Sequence, residues 1–363
     1  MADHLPQPSS IKGRGTAVRI AHRFERDARE GFDDGWGTLD QVAGEETLAP
    51  STTVIEERAR SVIATNDSPD IPFGQSLNPY RGCEHGCIYC YARPTHSYLD
   101  LSPGLDFETK IIAKVNVVER LEEELGRPRY RPSVIHIGGA TDAYQPVERR
   151  LCLTRGVLDV LGRCRHAYTI VTKSSGIERD LDLIGPAAQA GRVWVSISIT
   201  TLDGALARIL EPRAAAPHRR LRTVTALARA GVPVGVNVAP VIPFINEPEI
   251  EQIVEAAAQA GAHSIHYTVL RLPWEVSPLF RQWLQQHFPD RAERVMARVR
   301  EMRGGQDYRA EFGTRMKGEG IWAQLIAQRI EKAVRRAGLT RHVPPLDESA
   351  FVPPQQVRQG SLF

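Results

Sequence analysis

Residues 78–91 read Asn-Pro-Tyr-Arg-Gly-Cys-Glu-His-Gly-Cys-Ile-Tyr-Cys-Tyr and set Cys83, Cys87 and Cys90 at C-x3-C-x2-C spacing. These are three of the chain's five cysteines. Gly82 and Gly86 punctuate the loop and let the backbone turn tightly enough for three sulfurs to face one centre. Three convergent thiolates suit a soft metal or an iron–sulfur cluster. A cubane [4Fe–4S] cluster has one iron more than this loop has cysteines, so one iron stays open to bind a small molecule. A structural zinc knot is the competing reading, with His85 or His96 as fourth ligand. Zinc sites commonly pair two C-x2-C units, and no second unit is present. Disulfide pairing fits poorly with a long chain that lacks a secretory signal.

The chain has 363 residues, enough for one large α/β domain with extensions, or for two domains. No apolar run approaches the ~18–20 residues of a membrane span. Met1 to Arg14 lacks the apolar segment of a signal peptide. The expectation is a soluble, cytoplasmic protein with reduced thiols and no membrane partner. A net charge of +3 neither demands nor excludes nucleic acid. Arginines cluster at Arg219-Arg220-Leu221-Arg222, between Arg291 and Arg303, and at Arg335-Arg336. They read as solvated helix faces.

Residues 1–70 read as an N-terminal extension that drapes over a core and anchors through Phe and Trp. It carries Gly13-Arg14-Gly15 and Phe32-Asp33-Asp34-Gly35-Trp36-Gly37. Thr52 to Ile63 is an extended or helical lead-in. Strands are expected over Ser76–Tyr80, Val134–Ile137, Ala167–Val171, Val193–Thr200, Val232–Ala239 and Ser264–Leu270. Between them, helices are expected over 117–125, 147–161, 178–190, 219–230 and 249–260. Such alternation implies a parallel sheet within residues 71–273. Ser196, Ser198 and Thr200 share one strand face. Residues 274–342 read as a helical C-terminal extension covering the core, and 343–363 as a flexible tail.

The cysteine spacing, with Tyr89 just before the third cysteine, resembles the radical S-adenosylmethionine (radical SAM) superfamily. From Cys83 to about Leu272 the resemblance narrows to its spore photoproduct lyase-like branch. Tyr89-Cys90-Tyr91 matches the tyrosines flanking that branch's third cysteine. Ala140-Thr141-Asp142 lies where the branch has Thr-Ser-Asp after the second strand. Lys173 follows the third strand and Glu211-Pro212 the fourth, as in the branch. The N-terminal Gly-Arg-Gly and Asp-Asp-Gly-Trp segments resemble a bacterial group within it.

The resemblance implies an open six-stranded partial (β/α)6 TIM barrel with its active site at the C-terminal strand ends. It implies a [4Fe–4S] cluster on Cys83, Cys87 and Cys90 that binds SAM and cleaves it reductively. The resulting 5′-deoxyadenosyl radical abstracts hydrogen from a substrate, with DNA or RNA among the candidates. A flavodoxin or ferredoxin would donate the electron. Gly138 and Gly139 would admit the SAM amino end, and Thr141 and Asp142 belong to the same turn, where Thr141 would hydrogen-bond SAM. Lys173 would pair with its carboxylate, and Ser196 or Ser198 would reach the carboxylate or ribose. Ile242, in the segment 241–246, would lie against adenine. Bland readings stay open beside these: a strand-to-helix turn, a solvent-facing lysine, a polar lining, a packed loop.

Spore photoproduct lyase uses a cysteine after strand two as hydrogen donor, and Gly139 stands there in this chain. Thymine-dimer repair by that route is therefore not expected. Tyr89 and Tyr91 remain as candidates for hydrogen transfer. Cys152 and Cys164 read as small buried hydrophobes. His136, His263 and His266 read as satisfied core histidines. Tyr144-Gln145-Pro146 and Arg271-Leu272-Pro273-Trp274 are substrate-side candidates. A non-catalytic, zinc-stabilised nucleic-acid-binding protein is the alternative from another class; an electron carrier would need a fourth nearby cysteine.

Overall fold

A computed structural model describes residues 11–24 and 51–354 of the chain. Its strands are β1 (Thr53–Glu57), β2 (Ile63–Thr65), β3 (Gln75–Leu77), β4 (Tyr80–Arg81), β5 (Lys110–Lys114), β6 (Ile135–Ile137), β7 (Tyr168–Thr172), β8 (Val193–Ser198), β9 (Val234–Val241) and β10 (Ser264–Val269). β3, β6, β7, β8, β9 and β10 pair parallel in that order, and β2 adds antiparallel to β3 at one edge. The chain is thus an α/β fold on a parallel sheet. The connecting helices include α1 (Val117–Leu125), α2 (Leu153–Arg163), α3 (Leu181–Gln189), α4 (Gly204–Leu210), α5 (Pro217–Arg229) and α6 (Ile250–Gln259). After β10 come α7 (Val276–His287), α8 (Pro289–Glu301) and α9 (Gly320–Arg336). Among the described residues, no helix is long and apolar enough to cross a membrane.

Alternation along each strand divides the interior. Val193, Val195 and Ile197 of β8 join Ile137, Ile170 and Val236 in the main apolar cluster, facing the helices. Each such side chain contributes about 1.5–3 kcal/mol by leaving water. Trp194, Ser196 and Ser198 point to the opposite face. A second cluster joins Ile88 and Tyr89 of the cysteine loop to Leu206 and Leu210 of α4 and to Leu279, Phe280 and Trp283 of α7. The C-terminal helices therefore pack against the loop that carries the cysteines.

Several expectations are corrected. The first strand does not run from Ser76 to Tyr80. Pro79 has no N–H for a ladder, so β3 stops at Leu77 and Tyr80-Arg81 joins a separate three-stranded sheet, β1-β5-β4. The 52–63 lead-in is extended: β1 pairs parallel with β5. The Arg219–Arg222 cluster is not a solvated face throughout, because Arg220 is fully buried. Cys164 is buried, but Cys152 is exposed at a left-handed residue (φ 53°) opening α2. Part of the expected tail is tied down. The Asp347 and Val352 N–H groups donate to Gly191 and Cys164 carbonyls at 3.0 and 2.9 Å, and Phe351 packs on Tyr130 and His166. The Phe32–Gly37 segment and residues 355–363 lie outside the described residues.

Candidate functional site

The parallel strands end on one side of the sheet, and the loops beyond those ends meet the cysteine loop. Gly82 (φ 80°) and Gly86 (φ 66°) take left-handed turns that a side chain would strain. Cys83 and Cys87 are buried, Cys90 is half-buried, and all three are free thiols. Burial pushes the Cys83 thiol up and that of Cys87 to about 12, so both stay protonated at neutral pH unless a metal displaces the proton.

The loop is held by partners that the cysteine pattern does not reveal. Arg93 is wholly buried and forks into it. Its Nε donates to the Cys87 carbonyl at 2.9 Å and one Nη to that of Gly86 at 3.2 Å. The same guanidinium donates to the Pro103 and Gly104 carbonyls and pairs with buried Glu108 at 2.5 Å. From the other side, Thr141 Oγ1 and Gln145 Nε2 donate to the Gly82 carbonyl at 2.6 and 3.2 Å. Gln145 Oε1 in turn accepts from the Glu84 N–H at 2.9 Å.

The N-terminal segment seats on this assembly through Gly15, and Phe24 packs on Tyr98 with ring centroids 5.3 Å apart. The Gly15 N–H donates to Glu108 Oε2 at 2.9 Å. A Cβ at Gly15 would lie 1.9 Å from the Gly86 carbonyl oxygen, and backbone cannot yield cheaply. Gly15→Ala is expected to destabilise the protein by about 1–3 kcal/mol and to loosen the cysteine loop. Thermal midpoint and retained iron are the readouts, and wild-type values for both would mean that the segment does not seat there.

Beside the cysteines lies a buried polar network. Glu211 accepts from Tyr89 Oη, from Thr200 Oγ1 at 2.6 Å and from the Arg220 guanidinium. Burial alone would raise the Glu211 pKa. The positive charges of Arg220 and Lys173 and the two hydroxyl donors outweigh it and hold the carboxyl at about 2. The folded-state pKa is thus below the ordinary value of 4.5. The resulting stabilisation is whole above pH ~4.5 and is lost as pH falls toward ~2; it is on the order of 3 kcal/mol. Acid unfolding of Glu211→Gln should be correspondingly shallower over that window, as followed by circular dichroism. An acid slope equal to wild type would remove Glu211 from the account.

The sequence-predicted site residues fall into two groups. Thr141 and Asp142 direct their polar atoms to the protein itself. Asp142 accepts from Thr172 Oγ1 and from the Tyr144 and Lys173 N–H groups, and faces His85 Nδ1 at 3.3 Å. Gly138 (φ 90°) permits a close strand approach, since a Cβ there would lie 2.7 Å from the Val171 carbonyl oxygen. Ser196 Oγ accepts from the Trp194 indole at 3.2 Å, and the Ser198 carbonyl accepts from Arg220 at 3.1 Å. Gln145, expected on the substrate side, is instead fully buried in the loop clamp.

Other predicted residues face the cysteines or the mouth. Lys173 Nζ lies 5.9 Å from the Tyr89 ring centroid. Ile242 packs in the same apolar cluster as Cys87 and Tyr89. Tyr91, half-exposed, donates its hydroxyl to the Gly139 carbonyl, and Arg271 stands 5.2 Å from its ring. The sequence reading did not single out Arg93, Glu108 or Arg220 as site residues. The signal available for Arg93 was its position in Tyr91-Ala92-Arg93-Pro94, immediately after the cysteine motif.

The donor set fits an iron–sulfur cluster better than zinc. The zinc reading needs His85 or His96 beside the cysteines. His85 Nδ1 faces Asp142 and His96 Nε2 is bonded to the Lys110 carbonyl at 3.0 Å, which leaves the other ring nitrogen of each as the only ligand atom. Zinc therefore requires that such groups converge with the sulfurs. Among the described residues, no three His, Cys, Asp or Glu side chains converge on one metal-ion position. A cubane seats its cysteines on different irons and does not require that convergence.

The family model of the radical SAM superfamily matches residues 77–257. The chain is 37% identical over 287 residues to uncharacterized proteins of Mycobacterium tuberculosis and Mycobacterium bovis, covering 78% of this chain and 82% of each relative. It is 24% identical over 240 residues to an uncharacterized protein of Methanocaldococcus jannaschii, covering 66% of this chain and 85% of that relative. Among solved structures, spore photoproduct lyase with bound AdoMet and dinucleoside spore photoproduct aligns with a TM-score of 0.55 at 16% identity, over 78% of this chain and 79% of that one. That likeness concerns the fold. With the cysteine loop, the parallel sheet and the sequence match in agreement, this chain belongs to the radical SAM superfamily.

Proposed function

We propose that Cys83, Cys87 and Cys90 hold a [4Fe–4S] cluster whose open iron binds SAM, and that the enzyme abstracts hydrogen from a substrate at the mouth of an open six-stranded partial barrel. When bound, the cluster and SAM together supply an electron and a 5′-deoxyadenosyl radical, the hard part of the chemistry. The observation that carries this reading is the set of three free thiols on one clamped loop, with no fourth cysteine beside them. The protein's share is positioning. Arg93, Thr141 and Gln145 fix the loop carbonyls. Gly138, Gly139, Lys173, Ser196, Ser198 and Ile242 line the space beside it for SAM, with Asp142 holding the turn between them. Glu211 keeps the Tyr89 hydroxyl oriented, and Tyr91 stands where a proton or hydrogen atom can pass between site and mouth. Residues 71–273 form the core of this reading, flanked by the N-terminal and helical C-terminal extensions.

The substrate side is the rim beyond β10. Arg271 is flanked by the Tyr91 and Tyr308 rings at 5.2 and 6.0 Å, and it has no carboxylate partner among the described residues. Trp274 beside it is 59% exposed. The Arg271 guanidinium donates to Tyr308 Oη and Met316 Sδ, between the exposed Tyr91 ring and the half-buried Tyr308 ring. A guanidinium without a carboxylate partner among the described residues supports a substrate with planar and anionic parts, and DNA or RNA is such a substrate.

The test is metal content after anaerobic reconstitution. Wild type is expected to bind about four irons and as many sulfides per chain, and Cys83→Ala, Cys87→Ala and Cys90→Ala each far fewer. One zinc per chain, unchanged by reconstitution, would sink the proposal in favour of the zinc-stabilised binding protein.

A further inference from the structure

β10 and β2 are the two edges of the seven-stranded sheet. The loop 303–319, between α8 and α9, is bonded to both sides. On the β10 side the Val269 N–H donates to the Met316 carbonyl at 3.0 Å. Buried Arg303 links the Val269 and Leu270 carbonyls to those of Thr314 and Arg315. On the other side the loop meets the turn between β2 and β3. Asp70 accepts from the Gly313 N–H at 2.7 Å and from Arg315 Nε at 2.8 Å, and Arg315 also donates to Ser68. Among the described residues, these are the loop's hydrogen bonds to that turn. One carboxylate thus carries most of the closure between the edges.

No residue from Gly304 to Gly320 is buried. A segment held by polar contacts without a buried apolar anchor lies at the low end of local stability. Gly304, Gly305, Gly318 and Gly320, at its two ends, all take left-handed turns. The segment 309–315 that reaches Asp70 is bracketed by Tyr308 and Met316, and both brackets rest on Arg271. Arg271 donates to Met316 Sδ at 3.3 Å and to Tyr308 Oη at 3.4 Å, and its Nε is buried without a partner. A thioether is a weak acceptor and the second bond is long, so the guanidinium is poorly satisfied.

Resting on the reading of Arg271 as the contact for an anionic substrate group, we propose that residues 308–317 are a gate between the sheet edges, latched by Asp70 and opened when that anion takes Arg271. A phosphate ester or a carboxylate bonds a guanidinium about twice as strongly as a neutral acceptor does, so it displaces Tyr308 and Met316. The reaching segment then loses its support at both ends. Arg303 keeps the loop on the β10 side, so the parting occurs at Asp70. Phe73, in the same turn as Asp70, stacks on His136 at 4.1 Å. The gap therefore opens beside the inner face of β6 and admits the planar part of the substrate. No covalent bond changes in this step.

The latch has two direct readouts: hydrogen exchange of the Gly313 amide and trypsin cleavage after Arg315. The full chain is compared with Asp70→Asn, Arg315→Met, Arg271→Gln and Glu255→Gln, a change at an exposed residue of α6. The probes are phenyl phosphate and benzoate, with benzamide as the neutral control, on protein with and without reconstituted cluster. In wild type at least one anion should raise Gly313 exchange and Arg315 cleavage about tenfold, the worth of one charge-assisted bond, and benzamide should not. A response to phenyl phosphate alone assigns a phosphate ester, and to benzoate alone a carboxylate. Asp70→Asn should show the raised rates without any probe, and Arg315→Met the raised exchange. Amides of β8 and β9 should exchange as in wild type, and Glu255→Gln should match wild type throughout. Arg271→Gln should ignore both anions. Wild type that responds to neither anion, a response that persists in Arg271→Gln, or latch variants with wild-type Gly313 exchange would each overturn the gate. Failure of the cluster to form contradicts the function reading instead, and the exchange on protein without cluster still decides the gate.

Discussion

Arg93→Ala is expected to lose most of its iron and about 3–5 kcal/mol of stability, the penalty for leaving a buried charge unpaired. Arg93 is fully buried, and its removal strands Glu108, which is fully buried too. Burial already pushes the Glu108 carboxyl up against the pull of Arg93, so without that partner it would fold protonated or not at all. The same change leaves the carbonyls of Gly86 and Cys87 without their buried donor. Arg93→Met/Glu108→Leu separates the two effects. Removing both charges should recover much of the stability but not the iron, because the loop carbonyls stay unclamped. Urea denaturation and iron per chain are the measurements. A single variant with wild-type iron would show that the clamp does not govern the cluster loop.

Glu211→Ala should rank next. It removes the acceptor shared by Tyr89 and Thr200 and leaves Arg220, only 1% exposed, without its carboxylate. The Arg220 guanidinium keeps its Nε and one Nη bond to the Ala215 and Ser198 carbonyls, but the other Nη loses its acceptor and the charge its partner. A loss of about 3–5 kcal/mol is expected. Glu211→Gln should lose less, since an amide oxygen still accepts from one hydroxyl. Arg220→Met/Glu211→Leu should be closer to wild type in stability than either single truncation. Equal stability of Glu211→Ala and wild type would place Glu211 outside the supporting frame of the site.

What the sequence made legible follows its periodicity. β8 alternates Val193, Val195 and Ile197 against Trp194, Ser196 and Ser198, so its strand and its two faces could be read directly. The parallel sheet followed from repeating that pattern with helices between. The small β1-β5-β4 sheet was not legible, because its strands pair residues 53–57 with 110–114 across the cysteine motif. Such pairing leaves no local trace. The cysteines announce themselves by spacing, whereas their supports do not. Arg93, Glu108, Glu211 and Arg220 are charged residues, and pattern reading assigns charge to the surface. Each is buried because a partner distant in sequence, or a set of backbone carbonyls, satisfies it. Arg220 shows the error most plainly: it sits in a run of arginines on an amphipathic helix, yet it turns inward to Glu211. Cys152 fails the other way, as a small apolar residue placed at an exposed left-handed junction.

The central claim is that this loop holds a cluster that cleaves SAM. The most direct measurement is 5′-deoxyadenosine released by anaerobic, reconstituted protein given SAM and a reductant, with Cys87→Ala beside it. The account predicts product from wild type and none from the variant. A protein that retains zinc, builds no cluster and releases no 5′-deoxyadenosine would contradict it.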